Sequence, residues 1–183
     1  MSRFPAVLAV LSALALCSWG QIAWSEGRPI LIEVSLADGT FQASDITRGT
    51  RGATISAQVA TGSPAFPTPP GQYSPKRLIL NPQWQPGAFA RANGAERMPA
   101  SGETPMGLAK IPLTSSGVVA LHGGATPLVL GKPVSLGCVR MTDADMAALI
   151  SWLDGSEALA PPRPQPNGEI IRAFRRPVRI SVR

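Results

Sequence analysis

Residues 28–36, RPILIEVSL, alternate in character: Ile32, Val34 and Leu36 fall on one side, Leu31, Glu33 and Ser35 on the other. A period of two marks a strand with one buried face, so this stretch predicts the first strand. Asp38-Gly39 is a hairpin signal, and TFQAS (40–44) is the return strand. GATISAQVATG (52–62) predicts another strand, closed by Gly62. SPAFPTPPGQY (63–73) is excluded from a central strand because its four prolines lack the ladder donor. KRLILNP (76–82) is a short strand stopped by Asn81-Pro82, and GVVALHG (117–123) is an apolar strand ending in His122. Between them, residues 83–112 show no period; so long a stretch in a compact domain reads as a lid or functional loop. GKPVSLGCVRM (131–141) is a loop leading into a helix. There Met146, Leu149, Ile150 and Leu153 recur at helical spacing, Thr142 caps the start with Asp145 at N3, and Gly155 stands where a C′ residue belongs. PPRPQPNG (161–168) is an exposed excursion within a Pro-rich surface insertion near 156–176, and RPVRISV (176–182) closes the chain as a strand. The pattern predicts a mainly β fold, sandwich-like, with one short helix.

Composition sharpens this in three places. Glycine (18) and proline (19) exceed a fifth of the 183 residues, which suits short strands joined by many turns. Residues 1–25 resemble an export signal: Arg3, then an uncharged run from Ala6 to Cys17, then small residues at workable cleavage positions. An uncleaved membrane anchor is the alternative, and the run is short for one. The expected domain is then 28–183, in the periplasm or cell envelope. Removal of Cys17 leaves Cys138 as the only mature thiol, so no internal disulfide forms. The net charge is +6, concentrated late in Arg163, Arg172, Arg175, Arg176, Arg179 and Arg183 against Glu169. In an exported protein this favours anionic envelope polymers or headgroups over nucleic acid.

The chain's one histidine, His122, stands 16 positions before Cys138. A cysteine nucleophile needs a thiolate, and a neighbouring imidazolium or helix N-terminus lowers the thiol pKa. Cys138 lies four residues before the capping Thr142. Gly137 allows a sharp turn before it, and the Gly137 and Cys138 N–H groups are oxyanion candidates. No acidic residue lies between 104 and 142, so a backbone carbonyl near Gly123 is the simplest group to orient the ring.

HGG (122–124) with SLGCVR (135–140) resembles the catalytic stretch of the L,D-transpeptidase family, the YkuD-type domain, whose pattern is His-Gly followed by Ser/Thr-x-Gly-Cys-x-Arg/Asn. ATGSPAFPTPPGQY, NPQW, ETPMGLAKIPL and DADMAAL match further family stretches in the same order, from about Pro29 to Leu153. The resemblance implies a β-sandwich of mixed sheets, with Cys138 as nucleophile, His122 as general base and acid, and the Gly123 carbonyl orienting the ring. It gives Ser135, Gly137 and Arg140 to the oxyanion region and substrate. It implies acylation of the cysteine by the third residue of a peptidoglycan tetrapeptide stem, release of D-Ala, and transfer to an amine of a second stem or an envelope protein. It implies no cofactor and no metal. Leu136 stands where many members carry a second histidine. The rival readings are an L,D-carboxypeptidase or D-amino-acid exchange enzyme of the same fold, and a non-catalytic envelope-binding protein. One histidine and one mature cysteine are too few for a zinc site without loop carboxylates, and the His-before-Cys order does not fit a papain-like protease.

Overall fold

A computed structural model describes residues 28–47 and 50–183; the expected export signal lies outside the described residues. The strands are β1 (Ile30–Ser35), β2 (Thr40–Thr47), β3 (Thr50–Gln58), β4 (Thr61–Gly62), β5 (Gly71–Tyr73), β6 (Arg77–Leu80), β7 (Ala109–Pro112), β8 (Ala120–His122), β9 (Pro133–Ser135), β10 (Val139–Arg140), β11 (Arg163–Pro164), β12 (Ile170–Ala173) and β13 (Val178–Val182). They form a five-stranded sheet in the order β3-β2-β1-β13-β5, a six-stranded sheet in the order β10-β8-β7-β6-β12-β11, and a parallel β4-β9 pair. Each large sheet is antiparallel except for one pair, β1 with β13 and β8 with β10. The fold is therefore mainly β with mixed sheets, as the pattern predicts.

The first strand alternates as its sequence requires, with Ile30, Ile32 and Val34 buried. They meet Phe41 and Ala43 of β2 and Val178, Ile180 and Val182 of β13 in one core with Leu78, Ala109, Ile111, Leu121 and Val139 of the second sheet. Because successive side chains alternate across a strand, the residues between these point to the outer face of the six-stranded sheet. Arg140, His122, Lys110, Ile79 and Ile171 are consecutive cross-strand partners in one row on that face.

The helix after the cysteine, α2 (Asp143–Gly155), buries Met146, Leu149 and Leu153. Thr142 caps it: its Oγ1 accepts from the Asp145 N–H at 3.0 Å and donates to the Asp145 carboxylate at 2.6 Å. The C-terminus differs from expectation. Gly155 is the last helical residue, and Glu157 takes the left-handed position with φ 55. The Glu157 and Ala158 N–H groups close a Schellman motif on the Asp154 and Leu153 carbonyls, at 2.9 Å each. A residue with a Cβ is strained there. Glu157→Gly is expected to raise stability by roughly 0.5 kcal/mol, read as a higher thermal midpoint.

Two further differences have local causes. The predicted single helix is joined by α1 (Ala88–Ala92) and a 3₁₀ turn at Pro127–Val129. The helix α1 buries none of its own residues, so it left no periodic apolar signal. The 52–62 run breaks at Val59–Ala60 into β3 and β4, because Ala60 leaves the first sheet to exchange backbone hydrogen bonds with Arg140, at 2.8 Å each way. The 156–176 stretch supplies β11 and β12 to the six-stranded sheet, with 161–164 exposed.

Candidate active site

The strand β10 is an edge strand of the six-stranded sheet and begins immediately after Cys138. Val139 pairs with Leu121 and Arg140 with His122. Cys138 thus sits one diagonal from His122, roughly 8 Å between Cα atoms by strand spacing. Cys138 is half-buried and reachable from solvent, whereas His122 is buried with 4% exposure.

The His122 ring is fixed. Its Nδ1 lies 2.7 Å from the Gly123 carbonyl. A carbonyl only accepts, so the neutral ring carries its proton on Nδ1, and Nε2 keeps the lone pair. Burial holds the ring pKa down to about 4. The Gly123 carbonyl opposes that shift, the Arg140 charge adds to it, the Met106 carbonyl opposes it more weakly, and Lys110 adds the least. The ring is neutral at neutral pH. Burial also pushes the Cys138 thiol up, against the Ala120 backbone N–H and the charges of Arg140 and Lys110. The resting pair is thus thiol and neutral imidazole, not the thiolate and imidazolium that spacing suggested. The thiol is directed at the Val118 carbonyl at 3.6 Å, and no hydrogen bond joins it to His122 in this state.

The loop before Cys138 is built by Ser135. Its Oγ donates to the Cys138 carbonyl at 2.6 Å and accepts the Gly137 N–H at 3.1 Å. Gly137 has φ 107, a conformation glycine alone adopts without strain, and this turn sets Cys138 at the strand entrance. Because the Gly137 N–H is committed to Ser135, the Cys138 N–H is the donor left unpartnered there among the described residues. Arg140 donates from Nη2 to the Gly124 carbonyl at 3.0 Å, and its buried Nε has no partner among the described residues. Leu136 is 52% exposed beside the cysteine, and Val118 is 73% exposed, giving the rim an apolar character. On the same side, Phe89 of α1 packs on Phe66 with ring centroids 4.9 Å apart. A Cβ at Gly137 would lie 3.7 Å from the Pro67 carbonyl and 3.8 Å from the Phe66 carbonyl.

Two residues of the arrangement escaped the sequence reading. Asp143 Oδ1 accepts from Leu108 N at 2.7 Å and from Gly124 N at 3.0 Å, clamping the loop before β7 to the turn after His122. Gly123 is required at this clamp, since a Cβ there would collide with Asp143 Oδ1. An acidic residue in a first helical turn reads as a partner of the helix dipole, which masked this role. Lys110, opposite His122 in β7, lies 3.9 Å from the buried Glu169. Nothing in an irregular stretch gave its register in advance. Asp143→Ala leaves two N–H groups without their acceptor and is expected to cost about 1–3 kcal/mol in denaturant unfolding.

A buried histidine oriented by the next carbonyl, one strand away from a half-buried cysteine at the edge of a two-sheet β fold, is a candidate cysteine–histidine site in a mainly β protein. The chain belongs to the YkuD family: the model of the L,D-transpeptidase catalytic domain matches residues 29–180. It is 38% identical over 98 residues to a probable L,D-transpeptidase, YcfS, of Escherichia coli K12, an alignment covering 49% of this chain and 30% of that protein. Among solved structures, it resembles an L,D-transpeptidase of Mycobacterium tuberculosis H37Rv (TM-score 0.52, 17% identity, covering 86% of this chain and 58% of the other). It also resembles the catalytic domain of the E. faecium L,D-transpeptidase (TM-score 0.50, 16% identity, 87% and 99%). At these identities the structural likeness concerns the fold. The chain spans less than two thirds of the YcfS and M. tuberculosis proteins it matches.

Proposed function

We propose that this chain is an exported peptidoglycan L,D-transpeptidase working through Cys138. The observation that carries the reading is the His122–Gly123 contact, which leaves Nε2 of the ring unprotonated, in the strand next to the one that Cys138 leads into. In the first step Nε2 takes the thiol proton as sulfur attacks the carbonyl of the third stem residue. A C–S bond forms, the C–N bond to the terminal D-Ala breaks, and the imidazolium gives its proton to the leaving amine. In the second step an acceptor amine attacks the thioester. Its proton passes through Nε2 back to sulfur, and the new amide is released. The Cys138 N–H faces the developing oxyanion, with Ser135 and Gly137 holding the turn that aims it. Arg140 lowers the energy of the anionic intermediates and helps to hold the substrate. The segment carrying α1 is the lid, with Phe89 on Phe66 as its latch. Residues 1–25 direct export, and residues 28–183 form the catalytic domain. Among the described residues no helix is long and apolar enough to cross a membrane.

Incubation with tetrapeptide-rich muropeptides and mass spectrometry of the products tests the reading. Dimers linked 3→3 with released D-Ala are expected. Shortened stems alone would make the acceptor water, the carboxypeptidase reading, for which the apolar Leu136 at the acceptor rim is the relevant departure. Absence of both products would contradict acyl transfer altogether.

A further inference from the structure

The chain crosses between the two large sheets at Ser74–Lys76, after β5, and at Phe174–Pro177, after β12. The Phe174 N–H donates to the Lys76 carbonyl at 3.0 Å, tying the two corners together. They line a half-open cleft of about 450 Å³. Its lining includes Lys76, Arg175, Arg176 and Arg179, with Phe174 as an apolar wall and no carboxylate.

These cations differ from the others nearby. Arg172 is matched by Asp154 at 2.6 Å and Arg183 by Glu33 at 3.1 Å. Arg176 is a built floor: its side chain is 9% exposed, forked onto Asp45 at 2.5 and 3.0 Å, and it donates to the Arg28 and Ser156 carbonyls. Lys76, Arg175 and Arg179 have no acidic partner among the described residues. All three are exposed. A concave surface with three unmatched cations over an Arg176 already neutralised by Asp45 concentrates positive potential, and an oxyanion entering it meets the Lys76, Arg175 and Arg179 donors from several directions.

We propose that this cleft is an anion site that holds a linear polymer bearing repeated phosphate or carboxylate groups. It is separate from the cysteine site: β6 and β12 lie two and three strands from β8, roughly 10–15 Å away by strand spacing. Repeated anions along one polymer let the chain rebind before it diffuses away, which raises its local concentration on that polymer. The proposal does not depend on the chemistry of Cys138.

The test is titration of the purified protein with inorganic polyphosphate and with poly-L-glutamate at several salt concentrations. Saturable binding to either polymer is expected, and the tighter of the two identifies the anion. Three contacts give a log–log salt slope of roughly −2. The variant Lys76→Gln/Arg175→Gln/Arg179→Gln is expected to bind at least about tenfold more weakly at low salt and to lose most of that slope. The charge-matched control Lys132→Gln/Arg163→Gln/Arg183→Gln is expected to bind like the unmodified protein. Circular dichroism and carbapenem labelling of Cys138 are expected to be unchanged in the first variant, which separates a lost anion site from a lost fold or a failed cysteine site. Equal weakening in both variants would overturn the proposal. So would absence of binding to both polymers, or binding only to phosphatidylglycerol vesicles.

Discussion

Cys138→Ala is expected to abolish release of D-Ala from tetrapeptide stems, a loss of roughly 10⁴-fold or more, while leaving the protein folded. The loss is large because, in the proposed mechanism, the sulfur forms the covalent intermediate, and the nearby hydroxyl does not replace it: Ser135 Oγ is committed to the Cys138 carbonyl and the Gly137 N–H. The stability change is small, about 1 kcal/mol, because only a sulfur atom is lost from a partly buried residue and its one hydrogen bond, to Val118, is long. Parallel measurement of product and thermal midpoint checks both halves. Residual turnover at the unmodified rate would remove sulfur from the chemistry.

The second large effect concerns His122. Its conversion to Asn keeps a donor for the Gly123 carbonyl but removes the proposed base, so acylation is expected to fall by about 10²–10⁴. The unmodified protein has a matching pH signature. With a ring pKa of about 4, the base stays unprotonated from mildly acidic pH upward, and the acid limb of acylation is expected near pH 4 rather than near 6.5. Stability follows the same linkage. The unfolded chain binds this proton near pH 6.5 and the folded chain only near 4, so stability is lost as pH falls between those values. A shift of that size is worth up to about 3 kcal/mol. Above pH 6.5 this group adds no pH dependence. Denaturant unfolding of both proteins across pH 4–8 checks the sign: the difference between them changes over that window only if the buried ring is the cause.

Much of the site is legible in the sequence because its parts are short and contiguous. His122-Gly123 and Ser135-x-Gly137-Cys138-x-Arg140 each occupy one turn or strand end, and the helix that follows has a capping threonine and a clear apolar face. What is not legible depends on contacts across the chain. Asp143 acts on Leu108 and Gly124, which are 35 and 19 positions away, and its local setting in a helix N-terminus already accounts for an aspartate. Lys110 enters the site through its register opposite His122, inside a stretch with no period. The strands that escaped the pattern, β5, β7 and β9 to β12, have two to four residues, too few to display alternation. Burial is the other hidden quantity: it sets the protonation of the dyad, and no spacing of residues reports it.

The central claim is that Cys138 sulfur is the atom that becomes acylated. Incubation with a carbapenem, followed by intact-mass measurement and peptide mapping of the adduct, tests it most directly. One equivalent of added mass, on the peptide containing Cys138 and sensitive to thiols as a thioester is, is the expected result. An adduct elsewhere, or full labelling of the Cys138→Ala protein, would contradict it.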